Sequence, residues 1–286
     1  MKSSKKIIKI AAMFICLSFL VLGVNYSSKV NADESVGSTA TKGFTIDNNK
    51  KGNNHTGYIN PVKKDSTAII NNNYKNNKRL YKGIDNLPTS YNIDKSALNL
   101  KETIYDQGAF GTCWAFSSLS SAESSLYKMY RQKFPLSAYQ LSSVALGSKM
   151  MNVETLDFGG NADMAGAALT NWYGATDDAR FPYIPNNASD LLASSDIYTN
   201  HQYILKNMYV LPSNTDSNRN VSMTNINIIK SALVNYGDLM VPYFADNGAS
   251  HNQSSAYFNA MTNATYCNVY SEATTANHGV TIVGYD

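Results

Sequence analysis

Three cysteines stand in 286 residues, at positions 16, 113 and 267. They are too few for a disulfide framework or a four-cysteine zinc site. The length also takes the chain out of the disulfide-stapled miniprotein class. Charge is thin, with 16% Asp, Glu, Lys and Arg against 43% hydrophobic residues. That balance excludes a wholly disordered chain. Beyond the first residues, no apolar run approaches the roughly 20 residues that span a bilayer. What remains is a chain long enough for one large domain or two small ones.

The net charge of +3 conceals an asymmetry. Residues 1–86 hold 14 Lys and Arg against 5 Asp and Glu, whereas residues 87–286 hold 10 against 16. The bulk of the protein is mildly acidic, which argues against a nucleic-acid platform. The basic part is a leader. Lys2, Lys5, Lys6 and Lys9 precede an apolar run from Ile10 to Val24, and Val30-Asn31-Ala32 offers small residues for cleavage. Residues 1–32 therefore read as a secretory signal rather than a membrane anchor, because the run is short for a span. Cys16 is expected to leave with it. The mature chain is expected to be secreted, or held at the cell surface or cell wall, with no membrane span after signal removal.

Residues 33–86 are dominated by Asn, Lys, Gly and Ser, as in Asn71-Asn72-Asn73-Tyr74-Lys75-Asn76-Asn77-Lys78-Arg79. Such a stretch buries too little apolar surface to offset chain ordering. It is expected to be a disordered linker or a short pro-segment. Its 9 basic and 5 acidic residues face an acidic domain, so loose docking and a plain spacer are both open.

Ordered sequence is expected from Leu87 onward. Helical periodicity predicts helices over 113–132, 138–146, 162–173 and 224–236. In the first, Trp114, Phe116, Leu119 and Leu126 share one surface and Ser and Glu occupy the rest. Ser137 and Thr224 are placed as caps, and Gly174 and Gly237 as stops. Strands are expected at 239–244, where Pro242 suggests an edge, and at 278–285. Helices come early and strands late, which predicts an α+β protein with segregated halves. Residues 184–222 are expected to form a long surface excursion.

Cys113 follows Tyr105-Asp106-Gln107-Gly108-Ala109-Phe110-Gly111-Thr112 and opens a helical pattern. A thiol at a helix start feels unpaired N–H groups and the positive dipole end, which lower its pKa and favour the nucleophilic thiolate. From position alone, a buried, inert cysteine is the favoured reading. His278 heads the strand Asn277-His278-Gly279-Val280-Thr281-Ile282-Val283-Gly284-Tyr285, while His55, His201 and His251 lie in polar, loop-like sequence.

These two strings together resemble the signatures of papain-like cysteine proteases. Phe110-Gly111-Thr112-Cys113-Trp114 matches that family's Cys-Gly-(Ser/Ala)-Cys-(Trp/Tyr) pattern except that Phe110 replaces the first cysteine, so the usual disulfide there is absent. The resemblance is nearest to exported bacterial members. It covers about residues 87–286 and is looser between the signatures. Leu136-Ser137-Ala138-Tyr139-Gln140 resembles the second-helix entry. Phe158-Gly159-Gly160-Asn161 resembles the paired glycines that bind substrate backbone, although a plain turn also fits these residues. The separation of Cys113 and His278 is about 165 residues against about 130–150 in the family, which a surface insertion at 184–222 would supply.

The resemblance implies a two-lobed α+β fold, with a helical N-terminal lobe carrying the nucleophile helix and a β-rich C-terminal lobe. It implies Cys113 as nucleophile, His278 as base in a thiolate–imidazolium pair, and Gln107 with the Cys113 N–H as oxyanion donors. Gly159 and Gly160 would bind the substrate. Trp114 is read as helix packing and Cys267 as a spare thiol. The implied substrate is a protein or peptide, cell-surface proteins among them, and neither cofactor nor metal is implied. The family's orienting Asn-Ser-Trp-Gly string and last strands are not found by Asp286, eight residues beyond His278, and weak activity or none is expected for that reason. The alternatives are a catalytically dead papain-like module that binds peptide or wall protein, and a Cys/His amidase acting on peptidoglycan.

Overall fold

The computed structural model describes residues 17–20, 57–58, 84–93, 105–146, 156–171, 173–185, 195–215, 220–245, 258–259, 261–262, 264–265 and 276–286. Strand β1 (Leu17–Leu20) is followed by a 3-10 turn at Ile84–Asn86 and β2 (Tyr91–Asn92). Helices α1 (Cys113–Tyr130), α2 (Ala138–Leu146) and α3 (Ala162–Thr170) come next. A 3-10 turn at Ser195–Tyr198, β3 (Leu205–Tyr209), α4 (Met223–Tyr236) and β4 (Leu239–Tyr243) continue the chain. Short strands β5 (Phe258–Asn259) and β6 (Ala264–Thr265) precede β7 (His278–Ile282) and β8 (Gly284–Tyr285). The strands pair in twos: β1 with β3 in parallel, and β2 with β8, β4 with β7 and β5 with β6 antiparallel.

Helix α1 is the central element. It packs on α2 and α3 on one side and on β4 and β7 on the other. Trp114, Leu119, Ala122 and Leu126 are buried with Leu136, Leu141, Ala165 and Leu169 in the main core. The serines of α1 are buried too, at 117, 118, 121, 124 and 125, where the sequence pattern set them apart from the apolar surface. Their small size lets the turn after α4 come close, and their hydroxyls satisfy it. Ser121 donates to Asp238 O at 2.6 Å, Ser125 to Tyr236 O at 2.8 Å, and Ser124 accepts from Asp238 N at 2.7 Å. A second core of Leu211, Ile228, Ala232, Leu233 and Leu239 joins α4 to β4.

The predicted elements recur with shifted ends. Ser137 caps α2 through Gln140 N at 3.0 Å. Helix α4 begins one residue earlier than read, and its cap is Ser222, which accepts from Asn225 N, not Thr224. Helix α3 stops at Thr170, because Asn171 turns to extended backbone and accepts from Tyr173 N at 2.9 Å. The stretch 184–222 is not a surface excursion only. Ile197, Leu205 and Leu211 are at most 4% exposed, and Ile197 packs with Phe110, Tyr139, Leu156 and Phe181. A few apolar residues at the right places anchor an otherwise polar stretch, since burying one contributes about 1.5–3 kcal/mol.

Candidate active site

Cys113 is the first residue of α1 and is 2% exposed. The glycines before it allow the chain to turn sharply into the helix, with Gly108 at φ +59°. The thiol meets β7 at its start: Gly279 N–H donates to Sγ at 3.4 Å. His278, one residue earlier, pairs with Tyr243 of β4, whose ring stands edge-on to the imidazole at 5.7 Å. Asn277 pins the strand entry. Its side chain donates to Ala245 O at 2.8 Å and accepts from Ala245 N at 2.7 Å. His278 Nδ1 is buried with no hydrogen-bond partner among the described residues.

Gln107 sits in the turn ahead of α1, and its Nε2 donates to Phe110 O at 2.7 Å. Gly159, at φ +84°, and Gly160 are both buried ahead of α3. Gly160 lies against the indole of Trp114, where an added Cβ would come within 2.3 Å of Cε2. A residue with a side chain could not hold that approach. Trp114 is fully buried, in keeping with its reading as packing. Cys267 and Trp172 lie outside the described residues.

Gly57 and Tyr58, from the stretch that the sequence left as linker or pro-segment, lie in this site. Gly57 N–H donates to Cys113 Sγ at 3.4 Å. Gly57 O accepts from Gly160 N at 2.7 Å, and Tyr58 N donates to Asn277 O at 3.1 Å. Tyr58 therefore bridges to Gly160 in parallel sense and is 9% exposed within the main core. The one hint in the sequence is an aromatic beside a glycine in an otherwise polar stretch. Gly57 passes so close to Gly111 that an added Cβ would lie 1.8 Å from its carbonyl oxygen.

The electrostatics correct one expectation. Burial pushes the Cys113 thiol up, outweighing the N–H groups of Gly279, Gly57, Trp114 and Cys113 that pull it down. Burial likewise holds the His278 imidazole below its ordinary value. Both shifts favour neutral thiol and neutral imidazole in this covered site, not the ion pair. The helix start does act as expected in direction, but desolvation is the larger effect. Among the described residues no group of His, Cys, Asp or Glu could hold a metal, and no helix is long and apolar enough to cross a membrane.

Known proteins resemble this chain in sequence and in fold. The chain is 27% identical over 160 residues to the viral cathepsin of Choristoneura fumiferana nuclear polyhedrosis virus, covering 56% of this chain and 48% of that one. It thus spans about half the length of that curated relative. The crystal structure of xylellain, a cysteine protease from Xylella fastidiosa, is similar in fold, with a TM-score of 0.50 at 16% identity over 83% of this chain and 82% of that one. The cysteine protease and lectin-like domains of Cwp84, a surface layer associated protein of Clostridium difficile, give a TM-score of 0.49 at 24% identity, over 70% and 39% of the two chains. Residues 87–286 match the sequence profile of the papain family cysteine proteases, and the chain belongs to that family.

Proposed function

We propose that this protein is an exported cysteine endopeptidase whose site is covered by its own N-terminal segment. Residues 1–32, which carry β1 in the uncleaved chain, serve as a signal, 33–86 as a pro-segment and 87–286 as the catalytic domain. Cys113 is the nucleophile: its sulfur attacks the scissile carbonyl carbon, and the thiol proton passes to His278. The resulting oxyanion is held by Gln107 and the Cys113 N–H. His278 then gives the proton to the leaving amine, and an activated water releases the acyl group. Gly160 presents its main-chain N–H to the substrate backbone, as it does to Gly57. Protein at the cell surface is the proposed substrate.

The observation that carries this reading is the seating of Gly57 and Tyr58. Their main chain bonds Gly160, Asn277 and Cys113 Sγ together, so the cleft accepts an extended peptide beside the thiol. The group over the sulfur is the Gly57 amide N–H, at 3.4 Å. Gly57 therefore occupies the cleft through its main chain. Burial of Cys113 in this covered site pushes the thiol up.

The test is labelling of the full chain with an epoxysuccinyl thiol reagent, read by intact mass. A single adduct that is lost in Cys113→Ala, and formed more slowly in the presence of denatured protein substrate, is the expected result. A folded chain that labels only at Cys267 would overturn the reading.

A further inference from the structure

Thr112 presents an anomaly. It stands at the N-cap of α1, where a threonine side chain ordinarily accepts from an N–H of the first turn. Here it makes no such cap bond. Its hydroxyl instead lies 2.7 Å from Tyr183 Oη. That phenol donates to the main-chain carbonyl of Gln107 at 2.8 Å, and a carbonyl can only accept. Tyr183 has one proton and it is committed, so the Thr112 hydroxyl is the donor to Tyr183. A directed chain results, from the residue before Cys113, through Tyr183, to Gln107.

The ring is fixed as well as the hydroxyl. It stands edge-on to Phe116 of α1 at 4.7 Å and edge-on to Phe110 at 6.3 Å. Phe116 in turn stacks on Tyr105 at 5.5 Å. Phe110 occupies the place where the family resemblance implies a disulfide cysteine. The loop 105–111 is thus tied to α1 by an aromatic wedge and two hydrogen bonds, and not by a covalent staple. Thr112 is 1% exposed, and burial holds the Tyr183 phenol above its ordinary value, so the donor keeps its proton.

We propose that Tyr183 is a positioning residue for oxyanion stabilisation, bracing the Gln107 main chain against Thr112 and so setting the gap between the Gln107 side-chain amide and the Cys113 N–H. This rests on the peptidase reading above. Oxyanion donors act by being held in place before charge develops, and losing one outright costs about 10²–10³ in rate. A brace that only holds such a donor should cost less, on the order of tenfold.

The experiment compares full chains carrying Tyr183→Phe, Thr112→Val and Thr112→Ser, each with and without Gln107→Ala. Tyr183→Phe and Thr112→Val should lower kcat about tenfold with KM within about twofold. Thr112→Ser, which keeps the donor, should restore kcat. Alkylation of Cys113 by iodoacetamide builds no oxyanion and should not change. In the Gln107→Ala background, Tyr183→Phe should cost nothing further. An equal loss in that background, or a matching loss of alkylation, would overturn the proposal. Thr112→Val leaves the ring in place, so it decides the matter if Tyr183→Phe does not fold. A wild-type chain that hydrolyses nothing would defeat the peptidase reading instead. Amide exchange then judges the brace alone: faster exchange confined to residues 105–112 in Thr112→Val supports it, and unchanged exchange there overturns it.

Discussion

Gly57 donates its main-chain N–H to the sulfur of Cys113 at 3.4 Å, from a position 56 residues earlier in the chain. The same glycine accepts from Gly160 and touches Gly111 so closely that no side chain fits. A single residue thus reads three elements of the site at once.

Gly57→Ala should uncover the thiol. The added methyl meets the Gly111 carbonyl, and strain of about 1–3 kcal/mol shifts the balance between covered and open forms by roughly 5- to 150-fold. Alkylation of Cys113 by iodoacetamide, followed by mass, should speed up by a factor in that range. An unchanged rate would mean that the segment does not guard the sulfur.

The pH dependence of that alkylation follows from the raised thiol. In the full chain the rate should climb with pH through a midpoint above the ordinary thiol value, because burial favours the protonated form. In Gly57→Ala the midpoint should fall, since returning water stabilises the thiolate more than one lost N–H bond destabilises it. The ratio of the two rates should therefore be largest near neutral pH and shrink in alkali.

Glu123 should make stability fall as pH rises. Its carboxyl is buried in α1, takes the Leu136 N–H at 2.7 Å and the Tyr105 hydroxyl at 3.3 Å, and burial pushes its pKa up to about 8. The folded state then holds a proton that the unfolded state has lost, so stability declines from about pH 4.5 to about pH 8. Glu123→Gln keeps the acceptor and should flatten that slope. Urea unfolding at acid and alkaline pH checks it; parallel slopes in both proteins would contradict the assignment.

Gly160→Ala should damage both fold and binding. The methyl would strike the Trp114 indole, a rigid ring in a full core. We expect about 1–3 kcal/mol of lost stability and loss of competition by peptide in the labelling assay. A stable variant that still competes would show that the Gly160 backbone is not a peptide contact.

Much of this was legible locally. Glycines followed by a helical period locate Cys113 at a helix start, and the β-branched run after His278 locates its strand. Cap choice was harder, because Ser222 and Thr224 are both competent and only the backbone selects the former. Among its described residues, the misread stretch 184–222 hides three buried ones, Ile197, Leu205 and Leu211, in polar company. Gly57 and Tyr58 escaped for a different reason: their partners, Cys113, Gly160 and Asn277, are distant in sequence, and no periodicity encodes them. The thiol shift escaped because a helix start can be read locally, whereas burial by the folded chain cannot.

The central claim meets its most direct test in hydrolysis of a fluorogenic peptide by three full chains: wild type, Gly57→Ala, and Gly57→Ala combined with Cys113→Ala. The account predicts that Gly57→Ala exceeds wild type and that the double variant is inactive. Turnover that survives Cys113→Ala, or a Gly57→Ala chain that is folded, labels at Cys113 and is no faster than wild type, would contradict it.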